Sequence, residues 1–268
     1  MERGFGAGGA FDAGKPCGGE HPGRRGPVGQ ECAVAAGWNR QLHDLDREGV
    51  VRYGPDIGTE ADLRLLGTVS GKRVLDLGCG AGQASLALAK QGAHVIGLDP
   101  APEALTAAKR RAEREGVKVE LHQGDLADLA FMRAESVDLV FSAWAFGGVA
   151  DLNRVFRQVH RVLKEGTPLV FSIPHPVYDL IDDSDPEQPL LVRRSYFDRS
   201  PVDDSGETPF GQYHHTVADL FMGLTRNNFR VDVIVEPEST TDTPSPYWRE
   251  AFLWLPRTLV VRARKEGI

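Results

Sequence analysis

The sequence predicts an α/β protein with largely parallel strands joined by helices, and three observations predict it. Arg73-Val-Leu-Asp-Leu77 is a short apolar run stopped by glycine, which reads as a buried strand too short for a helix. Similar runs recur at residues 93–99, 117–123, 137–142, 167–173, 229–235 and 257–263. Helical patterns lie between several of them. Gln83 to Gln91 is built of good helix formers, and residues 151–164 carry apolar side chains at 152, 155, 156, 159, 162 and 163, one face of a helix. Alternation of this kind gives a parallel sheet covered by helices.

At 268 residues the chain is long enough for one large domain, and 41% hydrophobic with 26% charged residues is ordinary for a globular protein. The formal net charge of −7 argues against a nucleic-acid partner, whose binding rests on neutralising phosphates. No apolar run is long enough for a membrane span, and no signal-peptide core opens the chain. Cys17, Cys32 and Cys79 are few, odd in number and scattered, which points to a reducing, cytoplasmic setting. Residues 1–30 are rich in Gly, Pro and Arg and read as a disordered tail; residues 31–268 form the domain. Within it, helical pieces over 33–48 and 56–66 are expected to cap the ligand site (residues 31–70). The polar, proline-broken stretch 174–215 reads as a lid over an acceptor.

The most informative segment is Asp76-Leu-Gly78-Cys79-Gly80-Ala-Gly82-Gln83. Glycines at every second position after a strand make a turn where a ligand approaches bare backbone, facing the amides that open the next helix. A dinucleotide fingerprint would want glycine where Gln83 stands, which disfavours it, and no Lys-Ser/Thr pair follows, which excludes a Walker A loop. Asp76 would repel a pyrophosphate but suits a cation. Asp99 ends the second strand about twenty residues further on, the offset at which a carboxylate can bind ribose hydroxyls.

An acid followed by Gly-x-Gly-x-Gly resembles motif I of the class I S-adenosylmethionine-dependent methyltransferases. Asp99, then Gly124-Asp125-Leu126, then Asp138-Leu-Val running into Ser142-Ala-Trp144-Ala-Phe146, follow in the family's order and spacing. The resemblance covers roughly residues 38–265 and is closest to the small-molecule, ubiquinone/menaquinone-type branch. It implies a Rossmann-like, doubly wound, mostly parallel seven-stranded sheet ending in an antiparallel hairpin. It also implies S-adenosylmethionine as cofactor and S-adenosylhomocysteine as product. The implied cofactor contacts are Tyr53, Asp76, Gly78, Cys79, Gly80, Gly82, Gln83, Asp99, Pro100, Asp125, Leu126, Ser142 and Trp144, with no metal. Tyr53 would close over the methionine end, or simply pack in the cap; Asp125 would read the adenine amino group. For Cys79 the plain reading is a small residue that fits the turn.

The cofactor carries the reactive methyl, so the protein's task is to align an acceptor, plus a base where a proton must leave. His175, between two prolines after the fifth strand, and His214, with His215 at a helix entrance, are the candidate bases. The alternative for each is a histidine that only ties down the lid. Tyr178, Tyr196, Tyr213, Trp144 and Phe146 are candidates for the acceptor wall or for core packing. The fourth strand lacks the Asn/Asp-Pro-Pro-Tyr/Phe of enzymes acting on bases and amides, which argues for a small-molecule acceptor. Two other readings stay open: a cyclase or lyase using the same pocket, and, less favoured by Gln83 and Asp76, an NAD-linked oxidoreductase.

Overall fold

The structure, a computed structural model, describes residues 49–182, 187–188, 190–200, 213–240 and 248–267. The expected tail, the expected helix over 33–48, Cys17, Cys32 and parts of the 174–215 stretch lie outside the described residues.

Strands β1 (Arg73–Leu77), β2 (His94–Asp99), β3 (Val119–Gln123), β4 (Leu139–Ala143), β5 (Pro168–Pro174), β8 (Phe229–Val235) and β9 (Thr258–Lys265) form one sheet in the order β3-β2-β1-β4-β5-β9-β8. The first five are parallel, and β9 runs antiparallel between β5 and β8. Strands β6 (Ile181–Asp182) and β7 (Leu191–Val192) pair apart from it. This is the Rossmann-like, mostly parallel sheet that the motifs imply. Every residue of β4 and β5 is buried, as expected for strands covered on both faces.

The helices are α1 (Glu60–Leu63), α2 (Gln83–Lys90), α3 (Pro102–Glu115), α4 (Leu152–Val162) and α5 (Val217–Arg226). Their ends follow local chemistry. Asp151 accepts from the Asn153 and Arg154 amides at the start of α4, Thr216 and Asp219 form a reciprocal capping box on α5, and Gly116 closes α3 in the left-handed conformation. On one face of the sheet, Val155, Phe156, Val159 and Val162 of α4 and Leu220 and Leu224 of α5 pack on Leu75, Leu169, Phe171 and Val261. On the other, Val51, Tyr53, Ile57, Leu65, Leu66 and Val69 join Ala87 and Leu88 of α2 over Val74, Leu139, Phe141 and Val170.

Three boundaries differ from expectation. The helix expected over 56–66 is the single turn α1. Asp56 and Arg64 adopt positive φ (56° and 53°), and the Glu60 carboxylate accepts from the Leu65 and Leu66 amides, replacing further helical bonds. The fourth strand starts at Leu139. Asp138 instead accepts from the Arg73 amide (2.9 Å) and the Lys164 ammonium (2.7 Å) at the amino edge of the sheet. The helix expected to open at His214 and His215 begins at Val217, where Thr216 caps it.

The Phe146–Phe156–Phe171 cluster, with centroids 5.1–6.1 Å apart, ties α4 to β5. Phe156→Ala is expected to cost about 3–5 kcal/mol of unfolding free energy through the cavity it leaves, measured by urea denaturation; a cost under about 1 kcal/mol would contradict this packing.

Candidate cofactor and acceptor site

The carboxyl ends of β1, β2, β3, β4 and β5 share one edge, and the order reverses between β1 and β4, where ligands bind in open α/β sheets. The glycine loop lies at that point. Gly78, Gly80 and Gly82 all have positive φ (74°, 53° and 82°), a conformation that side chains resist. A β-carbon on Gly78 would overlap the Ala145 methyl, and one on Gly82 would lie 3.0 Å from the Ala108 β-carbon. The missing side chains therefore let β1 meet the turn after β4, and let the loop meet α3.

Polar contacts then fix the loop. The Gly78 and Cys79 amides donate to the Leu98 carbonyl (2.8 and 3.1 Å), and the Gly80 amide donates to Asp99 Oδ2 (2.8 Å). Asp99 Oδ1 accepts from the Ala101 amide (2.9 Å), and burial raises this carboxyl's pKa. Asp76, 1% exposed, accepts from the Ser85 hydroxyl of α2 (2.5 Å). Burial pushes its pKa up to about 7, and the nearby Asp99 adds to the rise. Among the described residues neither carboxylate is paired with a lysine or arginine. Gln83 Nε2 is buried and donates to nothing among the described residues. Two buried acids and an amide donor around bare glycine backbone fit a ligand that brings positive charge together with an acceptor group.

The other expected contacts divide. Leu126 is buried with its Cδ1 near Gly78, and Asp125 is exposed with Oδ1 accepting from the Ala127 amide (2.8 Å). Pro100 is exposed beside them. Trp144 ends β4 in the left-handed region (φ 58°), a rare conformation for a bulky residue and one found at functional edges. Three residues are drawn into the fold instead. The Cys79 sulfur packs on Gly97 of β2, and the Ser142 hydroxyl donates to the Leu77 carbonyl (2.8 Å). Tyr53 is fully buried, edge-on to Phe141 at 5.8 Å, and its hydroxyl bonds Glu60. Burial and that carboxylate raise the Tyr53 pKa far above its ordinary value. Phe146 belongs to the core.

Neither histidine is set up as a base. His175 is 3% exposed; its Nδ1 accepts from the Val177 amide (3.2 Å), which leaves Nε2 to donate to Glu236 (3.0 Å). Burial lowers its pKa. His214, fully buried, faces Asp179 through Nδ1 (3.2 Å) and the Tyr196 carbonyl through Nε2 (3.0 Å). His215 bonds the Val149 carbonyl. Tyr196 accepts from the Val217 amide at the start of α5, and Tyr178 packs on Phe252, so each of these tyrosines is tied to another part of the fold. The sequence reading missed Asp56 and Arg257, a buried ion pair at the same edge (3.2 Å). They lie 201 residues apart, and no local pattern links them.

Comparison with known proteins agrees with this geometry. Residues 74–166 match a family model described as a methyltransferase domain. A solved S-adenosylmethionine-dependent methyltransferase from Mesorhizobium loti is 30% identical, with 76% of this chain and 96% of that one aligned at a TM-score of 0.64. A ubiquinone biosynthesis O-methyltransferase from Hahella chejuensis is 39% identical over 102 residues, 38% of this chain but only 43% of that protein's length. An uncharacterised Haemophilus influenzae protein is 27% identical over 240 residues, 93% of its length.

Two predictions follow from the loop. Gly78→Ala, with both positive φ and the Ala145 methyl against it, is expected to lower the melting temperature by several degrees; an unchanged value would mean the loop relaxes freely. Asp76 retains its proton in the fold between its unfolded value of 3.8 and about 7, so its contribution is full at low pH and is lost as pH rises through about 7. In urea titrations at stepped pH, wild type should therefore lose stability relative to Asp76→Asn between about pH 4 and pH 7. A pH-independent difference would refute the burial effect.

Proposed function

The chain belongs to the S-adenosylmethionine-dependent methyltransferases, and we propose that it transfers the cofactor's methyl group to a small organic acceptor bound beyond β4 and β5. The observation that carries this reading is the bare glycine loop pinned to Asp99 beside buried Asp76, a cradle for a cationic ligand without phosphate. When bound, the cofactor supplies an electrophilic methyl on a sulfonium.

In this reading Asp99 holds the ribose. Its oxygens have lone pairs beyond those taken by Gly80 and Ala101, enough to accept two hydroxyls. Asp125 Oδ2 accepts from the adenine amino group, while Leu126 lies along the ring. Asp76 and Gln83 serve the methionine end, the acid for its ammonium and the buried amide donor for its carboxylate. Trp144 borders the place where methyl and acceptor meet.

We assign no base. Both nitrogens of His175 and of His214 already have protein partners, so the protein contributes chiefly alignment, which can supply up to roughly 7–11 kcal/mol of the barrier. The relationship to ubiquinone-biosynthesis enzymes motivates an oxygen acceptor, but the match to the Hahella chejuensis enzyme spans less than half of that protein's length. The described residues contain no helix long and apolar enough to cross a membrane.

S-adenosylhomocysteine should bind by calorimetry, and Asp99→Ala should weaken it roughly ten- to a hundredfold, the equivalent of about 1.5–3 kcal/mol of charge-assisted hydrogen bonding. An unchanged dissociation constant would remove Asp99 from the ribose site. Radiolabelled methyl from the cofactor should appear in small molecules of a cell extract rather than in its protein or nucleic acid; label confined to macromolecules would overturn the acceptor class.

A further inference from the structure

Arg257 opens β9 at the edge that carries the glycine loop, and its surroundings are unusual for a charged residue. Its guanidinium carbon lies 4.5 Å from the centroid of the Phe252 ring and 5.5 Å from that of Trp144. The Asp56 carboxylate meets Nη1 at 3.2 Å, with the two side chains 1% and 2% exposed. The Arg257 carbonyl accepts from the His175 amide (2.9 Å), and the Asp56 carbonyl accepts from the Thr240 amide (2.7 Å). The pair thus joins the segment before α1, the end of β4, the start of β9 and the loop after β8. Trp144, the ring under the guanidinium, precedes Ala145, whose methyl fills the space left by the absent side chain of Gly78. A buried cation therefore lies behind Trp144, whose chain neighbour Ala145 packs on the cofactor loop.

A cation in that position opposes a cationic ligand. Burial keeps salt from screening it, and the effect of a buried charge extends over several ångströms. Arginine nonetheless suits the place, since its flat guanidinium can stack between two rings and order them. We propose that Asp56 is a counter-charge for cofactor discrimination: it cancels the charge of the ring-positioning Arg257, so that the sulfonium form of the cofactor binds beside Trp144 without repulsion. The proposal rests on the cofactor site argued above. Asp56 touches neither cofactor nor acceptor in it, and acts through Arg257.

S-adenosylmethionine and S-adenosylhomocysteine differ by one methyl and one positive charge, so the ratio of their dissociation constants reads the local potential directly. Calorimetry with both ligands is the test, on wild type, Asp56→Asn, Arg257→Gln and the double variant. Asp56→Asn should weaken S-adenosylmethionine relative to S-adenosylhomocysteine, on the order of tenfold. Arg257→Gln, which leaves the carboxylate, should shift the ratio the other way, and the double variant should return close to the wild-type ratio. Loss of shape alone would weaken both ligands together. Equal effects on both, shifts of the same sign in the two single variants, or a double variant that keeps the Asp56→Asn ratio would each overturn the proposal. Asp56→Asn removes one partner of a buried ion pair and can fail to fold. Arg257→Gln then decides alone: a ratio unmoved, or moved against S-adenosylmethionine, overturns the proposal. Wild-type protein that bound neither ligand would instead sink the cofactor site itself.

Discussion

The close approach of Gly78 to Ala145 is the constraint on which the rest of the site depends. β1 and β4 are neighbours in the sheet, and their ends can converge only because no side chain stands between them. That convergence brings the glycine loop, Trp144 and the edge of β5 together, since the Trp144 amide donates to the Ser172 carbonyl (2.9 Å). Asp99 then ties the loop to β2 through the Gly80 amide. One carboxylate thereby shapes the backbone of the glycine loop.

The electrostatics of the edge are consistent across its width. Asp76 and Asp99 sit in low dielectric close to one another, an arrangement that costs stability in the free protein and is relieved by a cation. Further along, the cation Arg257 is matched by Asp56. The edge therefore offers negative potential where the ligand's charge is needed, and a neutral pair where an uncompensated arginine would oppose it. Buried ion pairs rarely stabilise a fold by themselves, and the proposed role tied to ligand charge would give this one a use.

Two buried histidines are tied into the fold. His214 is locked between Asp179 and the Tyr196 carbonyl, while His175 is locked between the Val177 amide and Glu236. These histidines tie Val177 to Glu236, and Asp179 and Tyr196 to the entrance of α5.

The sequence by itself determined the sheet, the turn and the kind of ligand. Apolar runs broken by glycine and acids at strand ends are encoded within a few residues, so periodicity and spacing reveal them. The loop glycines were legible for the same reason, since positive φ is a local demand. What only the tertiary structure decided is which polar groups remain for chemistry. Tyr53, Ser142 and both histidines stand where motif reasoning puts functional residues, yet each is taken up by a partner from another element: Glu60, the Leu77 carbonyl, Glu236 or Asp179. Asp56 and Arg257 carried no local signal, because a contact across 201 residues exists only once the sheet has closed around it. Backbone shape follows from short-range sterics, whereas the availability of a lone pair or a charge depends on everything that packs around it.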